Sequence, residues 1–238
     1  MSPHPAFPEP EAVDAARRAA LARALAAAGS LTLLPAVAAA AADLALGRAA
    51  RRGGMPLAEA LAARRSVRRF GPGSITLAAV GQLIWAAQGL SASGRRTAPS
   101  AGALYPLELH LVTARVDALA PGGYRYLPDV HALRRSDVRT TTAGLQAAAL
   151  GQASVGMAAA VVAITAVEAR SATKYGSRAA RYAAFEAGAA AQNLALQAVA
   201  LGLGSLVVGG FDDEAVGRVL RLPAGERALA LMPVGNPA

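Results

Sequence analysis

Three arginines and a serine between residues 64 and 68 are the side chains of this sequence best suited to hold a small anion. Arg64, Arg65 and Arg68 lie within a turn and a half of backbone, and Ser66 stands among them. Several guanidinium groups and a hydroxyl can therefore converge on one phosphate dianion. The same run can also be the solvated basic end of a short helix, where arginine complements the helix dipole. Taken alone, the run favours this second interpretation, and other segments of the chain shift the balance.

Two further segments can bring backbone close to a flat ring. One is a stretch of small residues that directly precedes a predicted strand. Its first residues are Pro99, Ser100, Ala101 and Gly102. The other is the pair Gly209 and Gly210, which follows an apolar run and can direct backbone N–H groups at the reactive edge of a ligand. Tight turns use the same residue types, so neither segment is diagnostic by itself.

The composition narrows the chemistry that the chain can perform. The sequence has no cysteine, which excludes disulfides, thiolate nucleophiles and iron–sulfur clusters, and with only three histidines we expect no metal site. Hydrophobic residues make up 54% of the 238 residues, ample for a buried core. The net charge of +9 comes almost entirely from arginine, but aromatic residues make up only 4%, so we expect no nucleic-acid partner. Difficult chemistry would then need an organic cofactor.

From Met55 onward, helix and strand signals alternate without an internal repeat, which predicts one α+β domain over residues 55–238. Thr76 is placed to cap one helix, and Gly202 with Gly204 to end the longest helix. The predicted helices span 57–64, 77–88, 142–150, 178–201 and 213–220. The predicted strands span 107–114, 122–127, 158–165, 206–208 and 228–233. On the longest helix one face carries Phe185, Ala189, Gln192 and Leu196.

Residues 1–54 read as an appendage to this domain. The first ten residues hold four prolines and predict a disordered arm. Arg17 and Arg18 then precede an uncharged, alanine-rich run from Ala24 to Ala42, a pattern typical of a twin-arginine export signal. An alanine-rich helix on the domain surface explains the same run equally well. Localisation therefore stays open between the cytoplasm and export.

These segments, in this order, resemble the nitroreductase superfamily and, more narrowly, the SagB-type dehydrogenases, which include the azoline oxidases of thiazole/oxazole-modified peptide synthesis. The resemblance runs from about Leu57 to the C-terminus, and its most specific stretch is PSAGALYP at residues 99–106. The matching stretches are 64–70 (RRSVRRF), 83–89 (LIWAAQG), 96–108 (RTAPSAGALYPLE), 174–176 (KYG), 192–198 (QNLALQA), 201–204 (LGLG), 209–213 (GGFDD) and 233–235 (PVG).

The resemblance implies a mixed sheet flanked by helices and a homodimer with FMN bound at the subunit interface. Carried onto this sequence, Arg64, Ser66 and Arg68 would contact the phosphate and ribityl chain, with Arg65 beside them. Residues 99–102 would line the isoalloxazine ring. Gly209 and Gly210 would direct N–H groups at N5 and O4, where charge develops as the flavin accepts hydride.

Lys174 and Tyr175 match a pair that, in azoline oxidases, is implicated in removing the substrate proton while hydride passes to flavin N5. A neighbouring ammonium favours the phenolate form of tyrosine, which makes this chemistry reasonable. Lys174 is also the only lysine of the chain. A surface loop pair with no catalytic role is the alternative.

Ala189 stands where related sequences often carry a histidine, and it can neither donate nor accept a proton. Three functions therefore stay open. The first is an FMN-dependent dehydrogenase acting on an azoline-like heterocycle in a small molecule or peptide. The second is an NAD(P)H-dependent nitro- or quinone-reductase. The third is a catalytically impaired flavin-binding scaffold. The sequence does not identify the substrate or the electron acceptor.

Overall fold

The computed structural model describes residues 42–137 and 139–238. The predicted proline-rich arm and nearly all of the alanine-rich run lie outside the described residues. Within them, Leu44–Ala45 (β1) already pairs with a strand of the domain, and Leu46 is buried. The described chain thus packs on the domain from well before Met55, where the sequence predicts the domain to begin. None of the described helices combines the length and apolar character that a membrane span requires.

The described part contains seven α-helices and six further strands. The helices are Leu57–Ala63 (α1), Leu77–Gln88 (α2), Thr142–Ala148 (α3), Ala153–Gly156 (α4), Ala169–Tyr175 (α5), Ala179–Ala200 (α6) and Asp213–Leu220 (α7). The strands after β1 are Leu107–Thr113 (β2), Gly122–Leu127 (β3), Ala132–Asp137 (β4), Ala160–Val167 (β5), Gly204–Ser205 (β6) and Glu226–Gly235 (β7). The predicted α+β class is confirmed.

One sheet joins all of these strands in the order β1-β4-β3-β2-β5-β7-β6, and every pair of neighbours is antiparallel. Parallel pairing occurs only at isolated bridges in the described residues, among them Ser66 with Ser205. Side chains alternate between the faces of a strand. On β2, Leu109 and Leu111 therefore join a core beneath α2 and α6, whereas Val112 joins a second core beneath α3 and α7.

Some elements match the prediction closely and others differ. Helix α2 begins after Thr76, whose hydroxyl accepts a hydrogen bond from the Ala79 N–H, and α7 has the predicted limits. The strand predicted at 206–208 is wrong: β6 lies at Gly204–Ser205, and beyond it only Val208 bridges to β7. Strand β4 escaped prediction because its sequence, ALRRSD, is mostly polar.

The segment that carries the arginines is fixed to the sheet by a close packing contact. The Val67 N–H donates to the Ser205 carbonyl at 3.0 Å. A Cβ atom built on Gly204 would lie 2.7 Å from Val67 Cγ1, closer than real Cβ contacts allow. Glycine at position 204 therefore lets Val67 lie directly on β6, and this contact sets the position of residues 64–68.

We expect Gly204→Ala to destabilise the protein by about 1–3 kcal/mol, because the added methyl group overpacks against Val67. Val67→Ala in the same chain should recover part of this loss, which a double-mutant cycle of urea unfolding measures. Gly217→Ala, where an added Cβ meets nothing within 4 Å, is the matched control and should be neutral or stabilising. Additive effects of Gly204→Ala and Val67→Ala would contradict the contact.

Candidate active site

Residues 64–68 form an extended segment beside β6 and not the end of a helix. Helix α1 stops at Ala63, and Arg64 already has extended dihedral angles. Alternate residues of an extended segment share one side. Arg64, Ser66 and Arg68 therefore lie opposite Val67, which packs on Gly204. The guanidinium groups of Arg64, Arg65 and Arg68 make no hydrogen bond or ion pair with the described residues, which leaves three cations available to a ligand.

Gly209 and Gly210 lie further along the same sheet edge. Val208 bridges to Leu231, so the chain from Ser205 to Gly209 follows β7 for about 13 Å. Both glycines are exposed, and within the described residues neither N–H donates a hydrogen bond. The carbonyl of Gly210 accepts a hydrogen bond from Gln152 Nε2 at 2.7 Å, which fixes the backbone. The arginine segment (residues 64–68) and the glycine pair (residues 209 and 210) thus lie on one edge of the sheet. The distance between them suits an elongated ligand.

The small-residue loop, residues 99–105, lies against the lysine–tyrosine pair. Gly102 has a φ of 62°, and a Cβ atom there would lie 2.9 Å from the Tyr175 hydroxyl and 3.3 Å from Lys174 Nζ. Glycine at position 102 therefore provides the space in which both side chains approach the loop. Lys174 and Tyr175 form the last turn of α5, so they are helical and not part of an irregular loop.

Glu186 of α6, which the sequence analysis overlooked, holds this loop from the other side. Its Oε1 accepts a hydrogen bond from the Ala101 N–H at 2.9 Å, and its carboxyl also bonds to the Ser100 side chain. The side chain is buried, and burial raises the pKa of Glu186 above its ordinary value, whereas the two hydrogen bonds lower it to a smaller extent. The sequence does carry a signal for this role, because Glu186 is the single acidic residue of an alanine-rich helix.

A cleft of about 330 Å³ opens between the loop and α6. It is lined by Pro99, Ser100, Ala101, Tyr182, Phe185 and Glu186. Phe185 is 62% exposed, and Tyr182 packs edge-on against Tyr175 with ring centres 4.9 Å apart. The cleft therefore offers aromatic walls next to the lysine–tyrosine pair. The predicted shared face of the longest helix, which includes Phe185 and Gln192, points largely outward.

The predicted site residues form two groups that do not meet within one chain. Ser66 lies level with Ser205, Val234 and Ala160, at the end of the sheet where β2 finishes. The small-residue loop enters β2 at the opposite end. Helix α6 runs between these ends, and Glu186 lies about 21 Å along its axis from Ala200. Residues 99–102 and the arginine segment share no hydrogen bond or ion pair within the described chain.

The histidines in the described residues are engaged in structural contacts. His110 Nε2 lies 2.6 Å from the Glu226 carboxylate, and His131 Nδ1 lies 2.8 Å from the Tyr126 hydroxyl. No group of three or more acidic, histidine or cysteine side chains suited to a metal ion occurs among the residues described. The chemistry of the two groups is therefore that of arginines, backbone N–H groups, Lys174 and Tyr175.

Comparison with known proteins identifies the family of this chain. Residues 61–236 match the sequence profile of the nitroreductase family. A candidate nitroreductase of Methanocaldococcus jannaschii is 38% identical over 181 residues, which cover 76% of this chain and 90% of that protein.

Two solved structures share the fold. A candidate nitroreductase from Ralstonia eutropha is 29% identical, with a TM-score of 0.72 over 86% of this chain and 93% of that one. A chain of the Escherichia coli microcin synthetase McbBCD complex, with truncated pro-MccB17 bound, is 20% identical, with a TM-score of 0.65 over 98% of this chain and 95% of that one. The latter similarity concerns the fold.

We expect Glu186→Ala to destabilise the protein by about 1–3 kcal/mol, because the partly buried Ala101 N–H loses its acceptor. Glu186→Gln keeps an acceptor oxygen of the same shape and should cost less. Urea unfolding of both variants measures the difference. Equal losses in the two variants would show that Glu186 does not hold the loop by accepting this bond.

The pH dependence of stability separates these variants further. Because the folded pKa of Glu186 is raised, the folded state binds more protons than the unfolded state above pH 4.5. This contribution to stability is present below 4.5 and is lost as the pH rises through the folded pKa. Glutamine does not titrate, so stability of Glu186→Gln relative to wild type should be highest at neutral pH and fall towards pH 4.5. A constant difference would contradict the burial of a titrating carboxyl.

Proposed function

The chain belongs to the nitroreductase family of oxidoreductases, and from that premise we propose that it is an FMN-dependent enzyme. The observation that carries the proposal is the sheet edge on which three guanidinium groups and two backbone N–H groups lie without a partner in residues 42–137 and 139–238. Arg64, Ser66 and Arg68 would bind the phosphate and ribityl chain, with Arg65 beside them. Bound FMN supplies hydride transfer at N5.

Gly209 and Gly210 fit the part of the cofactor where negative charge develops. Their exposed N–H groups can donate to N5 and O4 without losing any bond in the described chain. Fixed donors of this kind stabilise developing charge because they need no reorganisation during the reaction. The Gln152 bond to Gly210 keeps the backbone in place.

A second copy of the chain would complete the site. Residues 99–102, with the lysine–tyrosine pair, lie at the opposite end of the sheet from the arginine segment, so one FMN does not reach both groups of one chain. In a homodimer the loop of one protomer can cover the cofactor held by its partner. The exposed face of α6 and the exposed Leu57 and Leu61 of α1 provide apolar surface for such an interface.

Lys174 and Tyr175 are the groups that would move the proton accompanying hydride transfer. The two side chains meet at Gly102, and Lys174 Nζ lies 5.5 Å from the centre of the Tyr175 ring. The phenol oxygen would take or give the proton, with the ammonium group of Lys174 beside it. This pair supports dehydrogenation of an azoline-like heterocycle, in a small molecule or a peptide, as the first candidate reaction.

Reduction of nitro compounds or quinones by NAD(P)H is the second candidate. It is favoured by the 38% identity to a protein named as a candidate nitroreductase. The same cofactor and the same proton-transfer pair serve this reaction in the opposite direction. The two candidates differ in whether a nicotinamide cofactor or the organic substrate gives hydride to the flavin.

We expect the double variant Arg64→Ala, Arg68→Ala to lose FMN while keeping its fold. Removing two charged hydrogen-bond donors should raise the dissociation constant for FMN at least about a hundredfold. Fluorescence titration of the apoprotein with FMN measures it, and circular dichroism checks the fold. The matched control is Arg52→Ala with Arg218→Ala, which removes the same charge from exposed positions elsewhere. Unchanged FMN affinity in the first variant would overturn the cofactor assignment.

We expect Lys174→Ala and Tyr175→Phe to lower turnover about 100-fold or more without releasing FMN, because they remove the proton-transfer groups. Rapid mixing of the oxidised holoprotein with NADPH identifies the direction. Fast bleaching supports the reductase, and slow bleaching supports the dehydrogenase. Wild-type turnover in both variants would show that the pair is not catalytic. Absence of any turnover in a wild-type protein that binds FMN would favour the scaffold, consistent with Ala189.

A further inference from the structure

Four arginines line a cleft of about 510 Å³ at the end of the sheet where the small-residue loop enters β2. They are Arg96, Arg125, Arg134 and Arg170. From this cleft we infer a second anion site, distinct from residues 64–68, that takes the carboxylate or phosphate group of a substrate or reductant. The inference rests on the proposed oxidoreductase function for its role in turnover, but not for the binding itself.

Carboxylates in the cleft are fewer than guanidinium groups. The same Glu108 oxygen accepts from Arg125 at 3.0 Å and from Arg170 at 2.6 Å. Asp43 pairs with Arg134, and Asp129, which is 78% exposed, pairs with Arg96. Three carboxylates thus pair with four arginines, and one of the three, Asp129, is mostly exposed to solvent. The cleft keeps a positive charge that an incoming anion can neutralise.

Two guanidinium nitrogens of these arginines are buried without a partner. Arg96 Nη1 and Arg125 Nε have no hydrogen-bond acceptor in the described chain. Leaving a buried N–H of a charged group without an acceptor costs folding free energy. The two unpaired nitrogens therefore need an explanation. Both nitrogens are shielded from solvent, so an anion in the cleft would bond to them only after the guanidinium groups turn towards it. The planar guanidinium fork matches carboxylate and phosphate groups, which favours that turn.

The cleft adjoins the lysine–tyrosine pair. Arg170 and Lys174 are four residues apart on α5 and therefore lie on the same side of the helix. Arg170 Nη1 donates to the Tyr105 carbonyl at 3.1 Å, while Lys174 lies against Gly102. Both side chains thus contact the same small-residue loop. A ligand whose anionic group lies in the cleft can place its reactive end beside Lys174.

Tyr105 links the loop to the cleft in a strained conformation. Its φ of 47° lies in the left-handed region, which is unfavourable for a bulky residue. The Ser100 hydroxyl accepts from its N–H at 2.9 Å, and the Arg96 guanidinium lies over its ring, 5.7 Å from the ring centre. A strained backbone conformation of this kind persists only where the surrounding contacts enforce it. Such residues cluster at binding and active sites.

The first experiment measures binding alone. Purified wild-type protein is titrated calorimetrically with benzoate and with inorganic phosphate, and Arg125→Gln and Arg218→Gln are titrated alongside. We expect Arg125→Gln to weaken binding of at least one anion about tenfold, because one charged donor is lost. Arg218→Gln removes the same charge from a surface pair on α7 and should bind as wild type. Equal affinities of wild type and Arg125→Gln would overturn the inference, whatever the outcome for the flavin.

The second experiment identifies the source of the anionic group. KM is measured for 4-nitrobenzoate against nitrobenzene, and for NADPH against NADH, in the same variants. A rise in KM of about tenfold for nitrobenzoate alone assigns the cleft to the carboxylate of the substrate. The same rise for NADPH alone assigns it to the 2′-phosphate of the reductant. Arg125→Lys, which keeps the charge but loses the planar fork, should keep part of the preference that Arg125→Gln loses. Unchanged ratios in Arg125→Gln would count against a role in turnover.

Discussion

The antiparallel pairing of β5 with β2 on one side and with β7 on the other determines where every candidate site residue lies. From Ala160 to Ala166 the side chains of β5 are almost completely buried, so this strand can neither shift its register nor leave the sheet without exposing both cores. The register places the start of β2 and the end of β7 at opposite ends. The small-residue loop precedes β2, and the arginine segment lies beside β6, next to the end of β7. The two segments are therefore at opposite ends of the sheet.

Because of this separation, the candidate site residues of one chain form two groups and not one. One group has cations and unpaired backbone donors on an exposed edge. The other has the lysine–tyrosine pair, an aromatic cleft and a buried carboxyl that supports the loop. In the proposed homodimer, each group would supply what the other lacks. The proposed FMN would then lie between the two protomers.

Much of this could be predicted from sequence, because local signals were strong. The side chains of Thr76 and Asp212 cap the starts of α2 and α7, and the segments 64–68, 99–102 and 209–210 are conspicuous by composition. The relative placement of those segments could not be predicted, since it depends on strand order and register. Glu186 was missed for a related reason: its partners, Ser100 and Ala101, are 85 and more residues away in the chain. The extended form of residues 64–68 likewise depends on Gly204, a distant glycine that looked like a helix terminator.

The way in which residues 64–68 are attached would also govern how the proposed cofactor enters and leaves. Residues 64–68 belong to no helix and to no extended ladder; one backbone hydrogen bond and the Val67 contact with Gly204 hold them to β6. Segments with few buried contacts open at a lower free energy than the cores they border. Loading and exchange can then proceed through a local opening at the sheet edge while both hydrophobic cores stay closed. A ligand bound at this edge would in turn order residues 64–68. Its contacts would then help to hold the segment against β6.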